Sequence, residues 1–199
     1  MAGEIIWPNN LPQNFRSFPV SRYNWLTIAA DVFLMRYISV VDCALLLVNE
    51  LLEFQIGRPA CSLRNLRAKG LSNKIDQILT EMVQDQGNLR FERNARIHHG
   101  EERAFTDDDT TFRTAAMFEH ISNGMTGTDR FGRKINLERM FKDGLVELQR
   151  EFNSSTKVLV RHLNRLYDEL RDEFESRFGP RIAAATHGLN AGRVRGGLS

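Results

Sequence analysis

Hydrophobic residues along the chain fall into helical rows separated by short breaks rich in glycine, proline and asparagine. Leu34, Ile38, Val41, Leu45, Val48 and Leu52 recur at spacings of four and three, which puts them on one stripe of a helix predicted over Asn24–Ile56. Leu46, Leu47 and Leu51 widen the stripe, so this helix is expected to be covered on more than one side, and Gly57 and Pro59 end it. A second helix is predicted over Leu71–Gln86, with Ile75, Ile78, Leu79 and Met82 or Val83 inward. After Gly87-Asn88 a short helix runs from Leu89 to about His99 and stops at Gly100. Another spans Phe112–Ser122, with Thr106 as its cap and Asp107, Asp108 and Asp109 at the positive end of its dipole.

The longest row is Leu137, Phe141, Leu145, Leu148, Phe152, Leu159, Leu163, Leu166, Leu170, Phe174 and Phe178. As one helix it would reach roughly 60 Å. The stripe weakens at Asn153-Ser154-Ser155-Thr156, where a kink or split is expected, and Gly179-Pro180 is the expected stop. The pattern is all-α. It divides into an extended, proline-bearing arm over 1–21, in which Trp7 and Phe15 are candidate anchors, and a helical domain over 22–125. A flexible glycine-rich loop over 126–135, a long amphipathic helix over 136–178 and a disordered, basic, glycine-rich tail over 179–199 follow.

Composition narrows the function classes only a little. With 42% hydrophobic and 26% charged residues and a formal net charge of +2, the chain is globular in type, and bulk charge does not mark it as a nucleic-acid binder. Local clustering has to supply any such binding. The stretch from Phe54 to Ile75 lacks acids and holds Arg58, Arg64, Arg67, Lys69 and Lys74, which reads either as a solvated connecting turn or as the wall of an anion-binding groove. Cys43 and Cys61 have no metal-type spacing and read as reduced, buried thiols of a cytoplasmic protein. The most apolar run, Val40–Phe54, is broken by Asp42, Asn49, Glu50 and Glu53 and is shorter than the roughly 20 residues a bilayer span needs, so no membrane partner is expected.

The candidate chemistry sits in Arg93-Asn94-Ala95-Arg96-Ile97-His98, with His99 next to it. On a helix Asn94 and His98 are one turn apart and share a face. Arg93 lies about 140° from His98 around the ideal wheel. RNA cleavage without a metal needs a base for the ribose 2′-OH, an acid for the departing 5′ oxygen and a cation for the charge gathering on the phosphoryl oxygens. Imidazole, with a reference pKa of about 6.5, serves either proton transfer. Guanidinium offers forked donors and keeps its charge. Asn94 is placed to orient the histidine or donate to the phosphate, and Arg96 joins the basic residues of 58–74 as a candidate RNA contact.

These residues resemble the R-x(4–6)-H signature of the HEPN superfamily, with the favoured asparagine directly after the arginine. The resemblance covers roughly Arg22 to Asn123. It implies an antiparallel helical bundle that forms a homodimer, with the motifs of both subunits in one cleft. It also implies metal-independent cleavage of an RNA substrate, without a cofactor, in a toxin–antitoxin or defence module with an antitoxin or defence-complex partner. By position Arg93 and His98 are the catalytic pair and Asn94 the polar helper. His99 also satisfies the spacing, and His98 is favoured because it shares Asn94's face. A toxin subgroup has a modifiable tyrosine two residues after the histidine; here Gly100 stands there, which speaks against that mode of control.

The competing readings are plainer. His98, His99, Glu101 and Glu102 include adjacent pairs that diverge on a helix and lack metal-ligand spacing. His120 and His162 lie near apolar stripes and read as structural. The rival function is a non-catalytic helical interaction module, in which the Arg-Asn…His group only satisfies a polar contact.

Overall fold

A computed structural model describes residues 15–185 of the chain. These residues form α1 (Arg22–Leu51), a 3₁₀ turn (Arg58–Ala60), α2 (Leu63–Ala68), α3 (Asn73–Asp85), α4 (Gly87–His99), α5 (Asp109–Ile121) and α6 (Leu137–Ala184). The architecture is all-α, as the hydrophobic rows predict. Short polar side chains start most of these helices by accepting otherwise orphaned N–H groups. Ser21 Oγ accepts from Asn24 at 3.2 Å, Ser62 Oγ from Asn65 at 3.3 Å, Ser72 Oγ from Ile75 at 3.4 Å and Asn136 Oδ1 from Arg139 at 2.9 Å. Among the described residues no helix is long and apolar enough to cross a membrane.

The chain divides into two compact units that interleave along the sequence, and α1 and α6 contribute to both. The first unit takes described residues 15–40 and 85–158. Its core is aromatic. Phe33 stacks on Phe152 with centroids 3.6 Å apart, Tyr23 meets Phe105 and Phe112 edge-on, and Phe15 meets Phe141 edge-on at 5.2 Å. Phe15 is therefore a core residue, while Trp7, its expected companion in the arm, lies outside the described residues. Arg22 closes this end, its guanidinium 4.5 Å from the Phe15 ring and bonded to Glu119 at 2.8 Å. Where α6 crosses the core it carries Gly144. A Cβ there would lie 3.0 Å from both Leu26 Cδ1 and Phe105 Cβ, so glycine's poor helix propensity is accepted for a close approach.

The second unit takes described residues 41–84 and 159–185. Val41, Leu45 and Val48 of α1, Leu66 of α2, Ile75, Ile78, Leu79 and Met82 of α3, and Leu159, Leu166 and Leu170 of α6 are among its buried residues. His162 is buried too, with Nδ1 3.6 Å from Glu81 Oε2.

Several local expectations are corrected. The first helix stops at Leu51 rather than Ile56 because the buried Asn49 side chain ties down the chain that follows. Asn49 Oδ1 accepts from the Ile56 N–H and Nδ2 donates to its carbonyl, across left-handed Glu53 and Gln55. The basic run is not a bare turn, since it contains the 3₁₀ turn and α2, and of the two thiols expected to be buried Cys43 is exposed and Cys61 partly so. The cap of α5 is Asp108, not Thr106.

The segment expected to be a flexible loop is ordered around a carboxylate. Asp129 Oδ1 accepts from the N–H groups of Phe131 and Arg133 at 2.9 and 2.8 Å, and Oδ2 from Arg133 Nε at 2.5 Å. Asp108 joins this turn to α5, accepting from Thr111 N–H at 3.3 Å and from Arg130 N–H at 2.8 Å. Finally, α6 neither splits at 153–156 nor stops at Gly179-Pro180, and runs unbroken to Ala184. Polar residues at 153–156 do not break helical geometry, and Ser155 is used there, its carbonyl accepting from Tyr37 Oη at 3.4 Å. Pro180 deletes one hydrogen bond near a helix end, where water replaces the lost partner.

Candidate active site

The motif lies on α4, which starts directly after α3 and is fastened to its unit by two charged contacts. Glu92 accepts from Arg103 Nη1 at 3.3 Å, and Arg103 also reaches Glu151 of α6 while lying over the Phe152 ring at 5.6 Å. Burial pushes the Glu92 carboxyl above its usual range, with Arg103 opposing and Glu151 adding to the rise. The second contact is fork to fork. Arg96 donates through Nε to Asp31 Oδ1 and through Nη2 to Oδ2 at 2.9 Å. The Arg96 side chain is only 10% exposed. Burial opposes its charge, but the bonds to Asp31 more than restore it, and the guanidinium is held above its ordinary pKa.

Gly100 ends the helix at φ 66°, a left-handed conformation that favours glycine. Its N–H donates to the Arg96 carbonyl at 3.1 Å, and the next N–H, of Glu101, returns to the Ala95 carbonyl at 3.4 Å. This turn directs Glu101 and Glu102 back beside α4. The result is a cleft of about 330 Å³. Asp31, Leu34 and Met35 of α1 form one wall, Arg93, Arg96 and Ile97 of α4 the other, and Gly100, Glu101 and Glu102 the end.

Charge in the cleft is unevenly committed. Arg96 belongs to Asp31, and Glu102 is bonded to Arg113 and receives the Tyr23 hydroxyl at 3.5 Å. Tyr23 donates more strongly to Asp109, at 2.9 Å; burial and that carboxylate hold the phenol well above its usual range. Among the described residues Arg93 and Glu101 have no side-chain partner, and Arg93 Nε is buried without one.

The sequence-predicted residues fall in two places. Arg93 and Arg96 are brought together in the cleft, whereas Asn94, His98 and His99 are exposed and do not line it. Asn94 and His98 share an outer face of α4 with Phe91, which is 74% exposed. The remaining cations, Arg58, Arg64, Arg67, Lys69 and Lys74, belong to the second unit. Arg67 is bonded to Asp76 at 2.5 Å and to Thr80 at 2.6 Å, and Lys74 to Glu169 at 3.4 Å. Arg58, Arg64 and Lys69 are exposed and carry no partner among the described residues. Among those residues, no three His, Cys, Asp or Glu side chains converge as a metal-binding group.

Asp31, Glu101 and Glu102 were not singled out from the sequence as parts of one site. Asp31 did leave a signal, as the only acid between Arg22 and Val41 in an otherwise apolar helix. A charge on such a surface calls for a partner.

Comparison with known proteins bears on this geometry. No curated protein and no solved structure matches the chain. The model of the HEPN_Cthe2314-like HEPN family matches residues 10–171, most of the sequence and all of α1 to α5. The chain belongs to the HEPN_Cthe2314-like HEPN family.

Proposed function

We propose that this protein is a metal-independent endoribonuclease whose working cation is Arg93 and whose proton-transfer group is His98. The observation that carries the reading is the state of Arg93. On the motif helix of a HEPN-family protein, it is a guanidinium lining a cleft and bonded to no carboxylate among the described residues. A cation left unpaired in a partly desolvated site binds an oxyanion far better than one already in an ion pair. In the reaction, imidazole takes the proton from a ribose 2′-OH, the oxygen attacks the adjacent phosphorus, and the 5′ oxygen leaves with a proton. The negative charge that builds on the phosphoryl oxygens is met by Arg93. Asn94, one turn from His98, orients the imidazole or donates to the phosphate.

Within one chain Arg93 lines the cleft while His98 stands on the outer face of α4. A homodimer resolves this separation if one subunit presents the cation and the other the imidazole. The surface available for pairing is apolar. Ile28, Val32 and Met35, on one stripe of α1, are exposed, and Met35 and the exposed Ile97 both border the cleft.

Mixing Arg93→Ala with His98→Ala protein under subunit exchange tests both parts. Partial recovery of cleavage, yielding a 2′,3′-cyclic phosphate and sparing DNA, is the expected result. Wild-type protein that cleaves no RNA would defeat the ribonuclease reading, and a fully active monomer in sedimentation would defeat the dimer.

A further inference from the structure

The Arg93 cleft is also lined by Glu101. Neither group has a partner among the described residues, and they are not paired with each other. The other charges of the cleft are committed, Arg96 to Asp31 and Glu102 to Arg113. The same cleft is lined by the apolar side chains of Leu34, Met35 and Ile97. Opposite charges that share a small cleft without meeting make a bipolar site. It suits a ligand with an anion at one end, N–H donors at the other and a flat apolar body between them. One unit of an RNA chain, a phosphate joined through ribose to a base, has this form. The cleft volume of about 330 Å³ is near the lower limit for ligand sites, as one nucleotide requires.

We infer that the cleft is a base-reading pocket for guanine in the RNA substrate, with Glu101 accepting from N1–H and the N2 amino group while Arg93 holds the phosphate. This rests on the ribonuclease reading, since it takes Arg93's phosphate to be the scissile one. A carboxylate offers two acceptor oxygens side by side, and only guanine presents two adjacent donors on its pairing edge. Adenine and cytosine place a ring-nitrogen acceptor next to their amino group, which a carboxylate repels. Uracil's single N–H is flanked by two carbonyls. Bases splayed out of a single strand are read on this edge, with their faces against side chains. The left-handed turn at Gly100 is what positions Glu101, through the N–H that returns to Ala95.

The test has two arms on the full-length protein. In the first, 3′-GMP, 3′-AMP, 3′-CMP and 3′-UMP are titrated calorimetrically into wild-type and Glu101→Gln protein. 3′-GMP should bind about tenfold or more tightly than the others. Glu101→Gln should erase that advantage while the melting temperature stays unchanged. In the second arm, single-stranded oligoribonucleotides differing in one base should be cut next to guanine by the wild type and lose that preference in the variant. Equal binding of the four nucleotides, or a preference that survives Glu101→Gln, would overturn the inference. So would tight 3′-GMP binding alongside cleavage indifferent to guanine. If no RNA is cut at all, the ribonuclease reading falls, and the titration alone decides the pocket.

Discussion

Two stretches of this chain carry clustered arginines, and they hold their charge in opposite ways. Residues 58 to 74 contain no acid, yet folding brings Asp76, just beyond them, to Arg67 and the distant Glu169 to Lys74. Around the motif of α4 the acids Glu92, Glu101 and Glu102 crowd in sequence, yet Arg93 ends without a partner among the described residues. Local sequence therefore inverts the outcome, because the partners are chosen by helix packing. Arg67 and Arg96 sharpen the contrast, since each bonds an aspartate. In the first pair Arg67 and Asp76 are 48% and 33% exposed; in the second the aspartate is as open, at 39%, but the Arg96 side chain is only 10% exposed. A solvated pair is worth little, and a buried guanidinium is stranded when its carboxylate is removed.

The largest expected effect concerns the uncommitted cation. Arg93→Ala should lower RNA cleavage by about 10²–10³-fold, the loss typical of removing one charge-stabilising donor, with the melting temperature nearly unchanged. Arg64→Ala, an exposed cation of the other stretch, should cost only a few-fold and flatten the salt dependence of RNA binding. Equal losses would erase the distinction drawn here. Next in size is the difference between the two aspartate pairs. By urea denaturation, Asp31→Ala, which leaves the buried Arg96 guanidinium without its carboxylate, should cost about 2–3 kcal/mol and Arg67→Ala less than about 1 kcal/mol. If the Arg67 variant is the less stable, exposure is not what separates them.

Smaller still is the effect of the turn that ends the motif helix. Gly100→Ala meets no steric neighbour, so its cost should be conformational alone, about 1 kcal/mol in thermal or urea melts. The smallest effect is in salt. Double-mutant cycles at 0.05 and 0.5 M NaCl should shrink the Arg67–Asp76 coupling by a few tenths of a kcal/mol and leave Arg96–Asp31 nearly constant.

The long apolar rows of α1 and α6 were legible because each supplies many turns over which a period shows. The R-N-x(3)-H cluster was legible because all its members lie within one short stretch. What stayed hidden depends on contacts between distant segments. With six residues and one buried position, Leu66, α2 is too short to display a period. Three glycines made 123–134 look loose, and its order comes from Asp108 and Asp129 accepting backbone N–H groups that no hydrophobic pattern reports. The split of Arg93 from His98 was visible as an angle on the helical wheel, but which of them meets the cleft depends on where α1 lies.

One consequence follows from Asp108, whose two oxygens serve Thr111 at the start of α5 and Arg130 in the turn. Segments nineteen residues apart share a single fastening, so neither opens without exposing the other. In hydrogen-exchange terms they form one cooperative unit, and the amides of Thr111 and Arg130 should report the same opening free energy. The Arg130 N–H, then the Thr111 bond, hold the Asp108 carboxyl below its ordinary range, so this fastening is intact at neutral pH. It weakens as pH falls below about 4 and is lost through the carboxyl's folded pKa. Acid should therefore lower the protection factors of both amides together, and Asp108→Ala should do the same at pH 7.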